Sequence, residues 1–231
     1  AAQATARRYD ELMRAFAQLP GVGVVGGVNG LPLTQDGADG SFWDGSVTKL
    51  ENSMPKPIGS AEFRVASTDY FKAVGIPLLQ GRAFDSRDRA DSEQVAVVSA
   101  ATARATWGTR DPIGQRIQFG NMDGDMHVLT VVGVVGDVHE HRLDKAPTGT
   151  VYVNLDQRPL VAAEFNIVVR STLPIATLMP ALRNVLVHDA SGIPYSLHPL
   201  AEVRASTLAN RRFSLILLGA FAGVAFVLAI G

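Results

Sequence analysis

The sequence predicts an α+β fold in which a β–α–β unit encloses an inserted, β-rich middle segment and leads into a transmembrane helix. Three observations support this: helical apolar spacing near both ends, short β-prone runs between them, and 19 final residues without a charge. Both ends are then expected in one discontinuous subdomain, residues 1–66 and 150–210. Residues 67–149 form the insertion, and residues 211–231 start the transmembrane helix.

The first predicted elements are an amphipathic helix over residues 5–19 and a strand over residues 22–28. Pro20-Gly21 ends the helix. Residues 29–60, rich in Gly, Pro, Asp and Ser, are predicted as a long excursion that is either pinned by Phe42 and Trp43 or mobile. The apolar residues at helical spacing in the first helix are Tyr9, Leu12, Met13, Phe16 and Leu19.

The remaining elements alternate between strands and helices. Apolar alternation and β-branched runs predict strands at 62–66, 94–99, 115–119, 128–135, 150–154, 164–170 and 195–198. Helical spacing and capping residues predict helices at 68–75, 99–107 (Ser99 as N-cap), 174–188 and 200–211.

The run FSLILLGAFAGVAFVLAIG at residues 213–231 is the most informative feature. As a helix it is about 28 Å long, close to the thickness of the hydrocarbon core. Gly219 and Gly223 form a GxxxG pair suited to close packing of membrane helices. The alternative is a buried helix of a soluble protein, which rarely lacks polar residues on every face. We therefore expect membrane lipid around 213–231, and the chain to be a segment of a longer protein.

Composition excludes several functions. The net charge of −1, without a basic stripe, argues against nucleic-acid binding. The absence of cysteine excludes disulfides, thiolate metal sites and cysteine nucleophiles. The sequence contains neither a P-loop nor a G-x-S-x-G elbow, so we predict no enzyme activity, no catalytic residue and no cofactor. Any associated ATP hydrolysis must come from elsewhere.

Residues 21–26 fit the pattern G-x-G-x-x-G, but a helix and Pro20 come before the motif where dinucleotide binding needs a strand. The glycines are instead predicted to serve a turn and close strand packing. Asp85 and Asp88 lie in a charged run, DSRDRADSE, predicted as an exposed loop. The arginines, spread among acidic residues, are predicted to lie on an ordinary solvated surface.

Asp137, His139 and His141 alternate, so an extended segment would place them on one face. Two imidazoles and a carboxylate could bind zinc, with Asp144 as a fourth ligand only if the chain bends back. The alternative, which we favour, is a polar, solvated strand end. We therefore assign no metal site.

An ordered set of short motifs runs along nearly the whole chain. They are YDEL at 9–12, LPGV at 19–22, VASTDYF at 65–71, GIPLLQGRAF at 75–84, VVS at 97–99, DPIGQRI at 111–117, VGVVGDV at 132–138, VYV at 151–153, and Arg212-Phe213 with LLGAFA at 217–222. Each motif is modest alone, but their order is specific. Together they resemble the MacB-like periplasmic core domain of FtsX-type ABC transporter permeases.

The resemblance implies a porter-like β–α–β subdomain with the inserted subdomain, and a membrane helix before residue 1. Residues 1–210 would lie on the extracytoplasmic side of the bacterial cytoplasmic (inner) membrane. The resemblance outweighs the positive charges of Arg211 and Arg212, which by the positive-inside rule alone would place that end of the membrane helix in the cytoplasm. The resemblance also implies that the permease works as a homodimer with a cytoplasmic ATPase subunit. Some similar permeases also use a periplasmic adaptor.

Two functions follow as hypotheses. The first is a permease domain that couples ATP hydrolysis by a partner to efflux or mechanotransmission. The second is a membrane-anchored extracytoplasmic ligand-binding or sensor domain, which predicts a closed pocket between subdomains. In the first case the 29–60 excursion, or the distal face of the insertion, is expected to contact substrate or partners.

Overall fold

The computed structural model describes residues 2–32, 39–44, 57–119, 125, 127–139, 146–159, 164–189 and 194–200. Residues 1–193 form one compact unit and residues 194–231 a second. The described part of the first unit contains helices and a mixed sheet, which confirms the predicted α+β class.

The helices are α1 (Ala2–Ala17), α2 (Tyr70–Val74), α3 (Ala100–Trp107) and α4 (Ile175–Asp189). The strands are β1 (Val22–Val28), β2 (Asp39–Asp44), β3 (Gly59–Ala66), β4 (Leu78–Gly81), β5 (Val95–Ser99), β6 (Arg116–Gln118), β7 (Leu129–Val135), β8 (Thr150–Asn154) and β9 (Asn166–Ser171). Most predicted elements are therefore confirmed to within a few residues, and Ser99 accepts a hydrogen bond from the Thr102 backbone N–H as the N-cap of α3.

One sheet contains all the strands of the described residues, in the order β2-β6-β7-β5-β8-β3-β1-β9. An additional pairing of β2 with β3 closes six of them into a ring, and β4 is attached to β7. The pairings β3–β8 and β5–β7 are parallel, and the others are antiparallel. Strands predicted for the inserted segment and for the flanking segment thus pair directly, as β5 does with β8.

Aromatic side chains pack at the centre of the core between α2 and the sheet. The ring of Phe71 meets that of Tyr152 edge-on with centroids 5.0 Å apart, and it lies 5.6 Å from that of Tyr70. Phe84 extends this group from the loop after β4. Burial of these rings fixes α2 and the loop that follows it against the sheet.

The glycines of residues 21–26 serve chain geometry, as predicted. Gly21 adopts a left-handed backbone conformation in the turn before β1, with φ +76°. A Cβ on Gly26 would lie 2.6 Å from the Cα of Tyr70, so this glycine lets the start of α2 pack directly on β1. A nucleotide fingerprint is not needed to explain the motif.

Two predictions need correction or qualification, and one strand was not predicted. Residues 195–198 form no strand, and Pro194 and Pro199, which lack N–H donors, flank them. The 29–60 excursion contributes strand β2, although the side chains of Phe42 and Trp43 lie outside the described residues. Strand β4 was not predicted at all.

No helix in the described part of the chain is both long and apolar enough to cross a bilayer. The predicted span at 213–231, and the predicted helix at 200–211 apart from its first residue, lie outside that part.

Candidate functional site

Two of the family-like motifs meet where β4 pairs with β7. The Arg82 backbone N–H donates to the Val132 carbonyl oxygen and the Gly136 N–H to that of Pro77, both at 2.9 Å. A Cβ on Gly133 would overlap the carbonyl oxygen of Arg82, so only glycine allows the backbones to approach this closely. The motifs GIPLLQGRAF and VGVVGDV thus build one junction.

A third motif, DPIGQRI, completes the junction through a turn. Gln80 Nε2 donates to Asp111 Oδ1 at 2.8 Å, and the same oxygen accepts from the Ile113 N–H at 2.9 Å. The Gly114 N–H donates to the carbonyl oxygen of Val131 at 2.8 Å. The turn after α3 is therefore tied to both β4 and β7.

An open cleft of about 480 Å³ lies between β4, α3 and this turn. We call it the β4 cleft and define it by Leu79, Gln80, Ala103, Arg104, Arg110 and Val134. The side chain of Ala103, on α3, forms part of one wall of the cleft. The lining combines apolar side chains with the polar groups of Gln80, Arg104 and Arg110, and such a concave surface is a candidate binding site.

Strand β4 presents an unusual edge beside this cleft. Among the described residues β4 pairs only with β7, and all four of its residues are exposed. A β-bulge interrupts the register at Leu79, whose side chain is 58% exposed and lines the cleft. Together with Leu78, it places two adjacent exposed leucines on an edge strand.

Two arginines line the β4 cleft, but only one is engaged. Arg104 donates to Asp137 Oδ2 at 2.6 Å. Asp137 Oδ1 accepts from the Ala101 N–H in the first turn of α3, so both carboxylate oxygens already have protein donors. Arg110 is exposed and has no ion-pair partner within the described ranges.

The proposed cluster of Asp137, His139 and His141 is only partly described. Asp137 holds α3 through Ala101 and Arg104, His139 is half-buried, and His141 lies outside the described residues. Where side chains are described, no group of three or more metal-ligating residues occurs. The preference for a polar strand end over a zinc site remains a prediction.

The loop after β4 differs from prediction. Asp88 is 3% exposed, because it accepts two hydrogen bonds from the Arg82 guanidinium, at 2.7 and 2.8 Å, and one from the Asp85 N–H. The bond to Asp88 raises the pKa of Arg82. Hydrogen bonds from the Arg87 side chain and backbone hold the pKa of Asp85 well below its usual range. The run is thus an ordered ion-pair loop, and the prediction of an exposed Asp88 was wrong.

Two arginines are buried in the sheet region, contrary to the predicted solvated surface. Arg158 is 2% exposed and donates to Gln94 Oε1 and to the carbonyl oxygens of Asp125 and His127, at 2.6 to 2.9 Å. Burial alone would raise the pKa of Asp125, but bonds from His127 and the charge of Arg158 outweigh it and lower the pKa. Arg64 lies in β3, 3.2 Å from Glu62 Oε2.

Neighbouring Gln157 completes this network. Its Oε1 accepts from the Val95 N–H, and its Nε2 donates to Ser92 Oγ and to the carbonyl oxygens of Arg89 and Glu93. The turn after β8 therefore holds two loops in place, one before β5 and one before β7. The adjacent polar pair Gln157-Arg158, in the turn that follows the β-prone run TVYVN, is the sequence signal that could have indicated this.

Comparison with known proteins gives one family match and one curated relative. The family model described as "MacB-like periplasmic core domain" matches residues 4–185. The Macrolide export ATP-binding/permease protein MacB 2 of Aeromonas hydrophila subsp. hydrophila is 36% identical over 67 residues. That match covers 29% of this chain and 10% of the relative, so the chain corresponds to a small part of that protein's length.

Solved structures with similar folds include the periplasmic region of MacB from Actinobacillus actinomycetemcomitans, with a TM-score of 0.55 and 16% identity. The alignment covers 78% of this chain and 74% of that one. The extracellular domain of the noncanonic ABC-type transporter YknZ from Gram-positive bacteria has a TM-score of 0.50 and 14% identity, over 78% and 83% of the two chains. At these identities the likeness concerns the fold alone.

Proposed function

The chain belongs to the MacB-like periplasmic core domain family, and from this premise we propose that it is the extracytoplasmic domain of an ABC transporter permease. It would couple ATP hydrolysis by a partner ATPase to efflux or mechanotransmission across the cytoplasmic membrane. The observation that carries the proposal is the family match over residues 4–185. The shared fold of the MacB periplasmic region supports it.

The internal architecture of the domain supports a mechanical role. The closed ring of strands, the Arg158 network and the Arg82–Asp88 pair hold loops and sheet together by buried polar bonds. Such a body moves as a unit when a membrane helix pulls on it, because close-packed interiors transmit strain. The sequence offers no P-loop, so the ATPase belongs to another part of the assembly.

The remaining parts of the proposal follow from the family. Residues 1–210 lie on the extracytoplasmic side of the inner membrane, residues 211–231 start a membrane helix, and the permease acts as a homodimer with an ATPase subunit. This scheme also accommodates a periplasmic adaptor as a further partner. The division into residues 1–66 with 150–210 and an inserted 67–149 remains part of the proposal. We propose no catalytic role for the domain.

The alternative, a membrane-anchored ligand-binding or sensor domain, predicts a closed pocket between the subdomains with converging polar groups. We place the permease domain first because the family match over residues 4–185 supports it directly.

The test is a labelling experiment on the full-length protein with its ATPase. These 231 residues contain no cysteine, so Asp91→Cys, at an exposed position, gives a single reporter once every cysteine elsewhere in the full-length protein and its ATPase has been replaced by Ser. A membrane-impermeant maleimide should label it in intact spheroplasts, and ATP should change the labelling rate in proteoliposomes. Protection until lysis would contradict the topology. An ATP-independent rate for this cysteine and for Val187→Cys would contradict coupling.

A further inference from the structure

Strands β1 and β9 lie outside the ring of six strands and meet it at one crossing. Strand β1 pairs with β9 from Val22 to Val28, but within the described residues its register with β3 contains only the pair Val28–Ala66. By contrast, β3 pairs with β8 from Glu62 to Ala66 inside the ring. The β1–β9 layer, with α1 packed on β1, is therefore joined to the ring at the end of one strand and not along a shared edge.

Side chains complete the hydrogen bonds at this crossing. The Ser67 N–H donates to the Gly27 carbonyl oxygen at 2.8 Å, and on the other side the Asn29 N–H donates to that of Val65 at 3.0 Å. In a regular antiparallel ladder, backbone carbonyl oxygens would accept the two return bonds. Here Ser67 Oγ accepts from the Gly27 N–H at 2.8 Å. Likewise, Asn29 Oδ1 accepts from the Val65 N–H at 2.9 Å, so the two backbones separate on both sides of a crossing that these side chains hold together.

The centre of the junction is buried, whereas a bond farther out is exposed. Ser67 is 7% exposed, and the start of α2 packs beside the crossing because Gly26 admits the backbone of Tyr70. Farther along β9, the exposed Arg170 donates through Nε to the Ala73 carbonyl oxygen of α2 at 3.0 Å. Water can replace an exposed bond at small cost, but a buried N–H without an acceptor is costly. The β1–β9 layer is thus held firmly at the crossing and weakly at Arg170.

We propose that the Val28–Ala66 crossing is a pivot about which the β1–β9 layer turns against the strand ring, with Ser67 and Asn29 holding its centre. One residue pair resists separation but resists rotation far less than a long ladder does, and hinges are usually a few residues at the ends of elements. The use of the pivot rests on the proposed function, because a membrane helix that pulls on the layer would turn it against the ring. The motion itself belongs to the domain and needs no ATPase.

Helix α1 offers one exposed position near the pivot and one far from it. The ring of Tyr9 stacks on that of Phe165 with centroids 4.9 Å apart, and Phe165 lies against Gly27, next to the crossing. Glu11 follows two residues after Tyr9. The helix ends at Ala17, close to the start of β1 and therefore at the other end of that strand. Rotation about the crossing should displace Ala17 more than Glu11.

Double electron–electron resonance on the chain of 231 residues, which has no native cysteine, measures this displacement. One spin label stays at Asp91→Cys, on an exposed loop of the ring, and the second is at Glu11→Cys or Ala17→Cys. We expect the distance distribution to Ala17→Cys to be roughly twice as wide as that to Glu11→Cys. Ser67→Ala and Asn29→Ala should widen it further, whereas Asn29→Asp, which keeps the acceptor oxygen, should not.

The matched control is Ser99→Ala, which also removes a buried hydroxyl that accepts from backbone N–H groups, but does so within the ring. It should lower the melting temperature about as much as Ser67→Ala and leave the distance distribution unchanged. Equal widths for the two label pairs in the otherwise unaltered chain would overturn the proposal, because layer and ring would then be one rigid body. It also fails if neither Ser67→Ala nor Asn29→Ala widens the distribution, or if Ser99→Ala widens it as much. Coupling to ATP is read separately from the labelling rate of Asp91→Cys, so either idea can fail alone.

Discussion

Strands β8 and β4 belong to one sheet but differ in every respect that governs burial. All five residues of β8 are buried, and the strand is paired on both sides, with β3 and β5. All four residues of β4 are exposed, and within the described residues it is paired on one side only. The first strand is part of the core that holds the sheet together, whereas the second contributes little buried surface.

The polar groups near the two strands differ in the same way. Behind β8, Gln157 and Arg158 are buried and bonded to protein atoms at several points. Beside β4, Arg110 is exposed and unpaired in the described part of the chain. A buried polar group contributes to stability only when bonded, whereas an exposed one is available for recognition. Substitutions at the two strands should therefore affect different measurements.

The largest effect is expected from Arg158→Ala. It removes a buried guanidinium and leaves three partly buried acceptors without their donor, so we expect the free energy of unfolding to fall by about 3 kcal/mol. Urea unfolding followed by the fluorescence of buried Trp107 measures it. Arg110→Ala is the control and should change it by less than ~0.5 kcal/mol. A loss below ~1 kcal/mol for Arg158→Ala would mean that water replaces the guanidinium.

The next largest effect is expected from a glycine in β1. Gly26→Ala should cost about 2 kcal/mol, because its Cβ would press on the backbone of Tyr70. Gly23→Ala in the same strand is the matched control: its Cβ would meet only the Arg170 carbonyl oxygen at 3.6 Å, an ordinary contact. Thermal unfolding of both variants tests this. Equal losses would show that strand propensity, not the approach of α2, decides the cost.

A smaller effect concerns pH. Because hydrogen bonds from Arg87 lower the pKa of Asp85 in the folded state, this group stabilises the fold above the unfolded pKa of ~3.9. That contribution is lost as pH falls through the folded value. We therefore expect stability measured from pH 5 to pH 2 to fall more steeply for the unaltered chain than for Asp85→Asn. Asp91→Asn, at an exposed position, should follow the unaltered chain, and identical slopes for all three would contradict the role of Asp85.

The smallest effect on stability is expected at β4. Leu79→Ser removes a mostly exposed side chain, so the free energy of unfolding should change by less than ~0.5 kcal/mol. Chemical denaturation measures this. Val153→Ser, at a buried position of β8, is the contrasting variant and should lower the free energy of unfolding more. A loss above ~2 kcal/mol for Leu79→Ser would mean that another part of the chain covers β4.

Patterns within short windows predicted most elements. The helical spacing of α1 and α4 and the β-branched runs of β5, β7 and β8 are local signals, and the structure follows them. The strand predicted at 195–198 was wrong because the β propensity of these residues was considered without the prolines on either side of them. Strand β4 was missed because it follows Pro77 directly and has only four residues, Leu78–Gly81, too few for periodicity to identify.

The site was less predictable because it depends on distant contacts. The β4 cleft joins residues near 79, 104, 110 and 134, which no spacing rule relates. Likewise, the charge pattern of DSRDRADSE suggested solvent exposure, but the partner of Asp88 is Arg82, outside the run. Sequence motifs did identify the segments that meet, although not how they meet.

The pairing of β1 with β9 also has a consequence for how the chain is made. Val28 lies opposite Asn166, so roughly 140 residues separate partners in the sheet. Loop closure over such a distance makes native pairing slow, and β1 must wait until the ribosome has synthesised most of the domain. Until then the apolar run of β1 has no native neighbour on that edge. A chain that is exported while it elongates would therefore form the β1–β9 pairing only after β9 has also crossed the membrane.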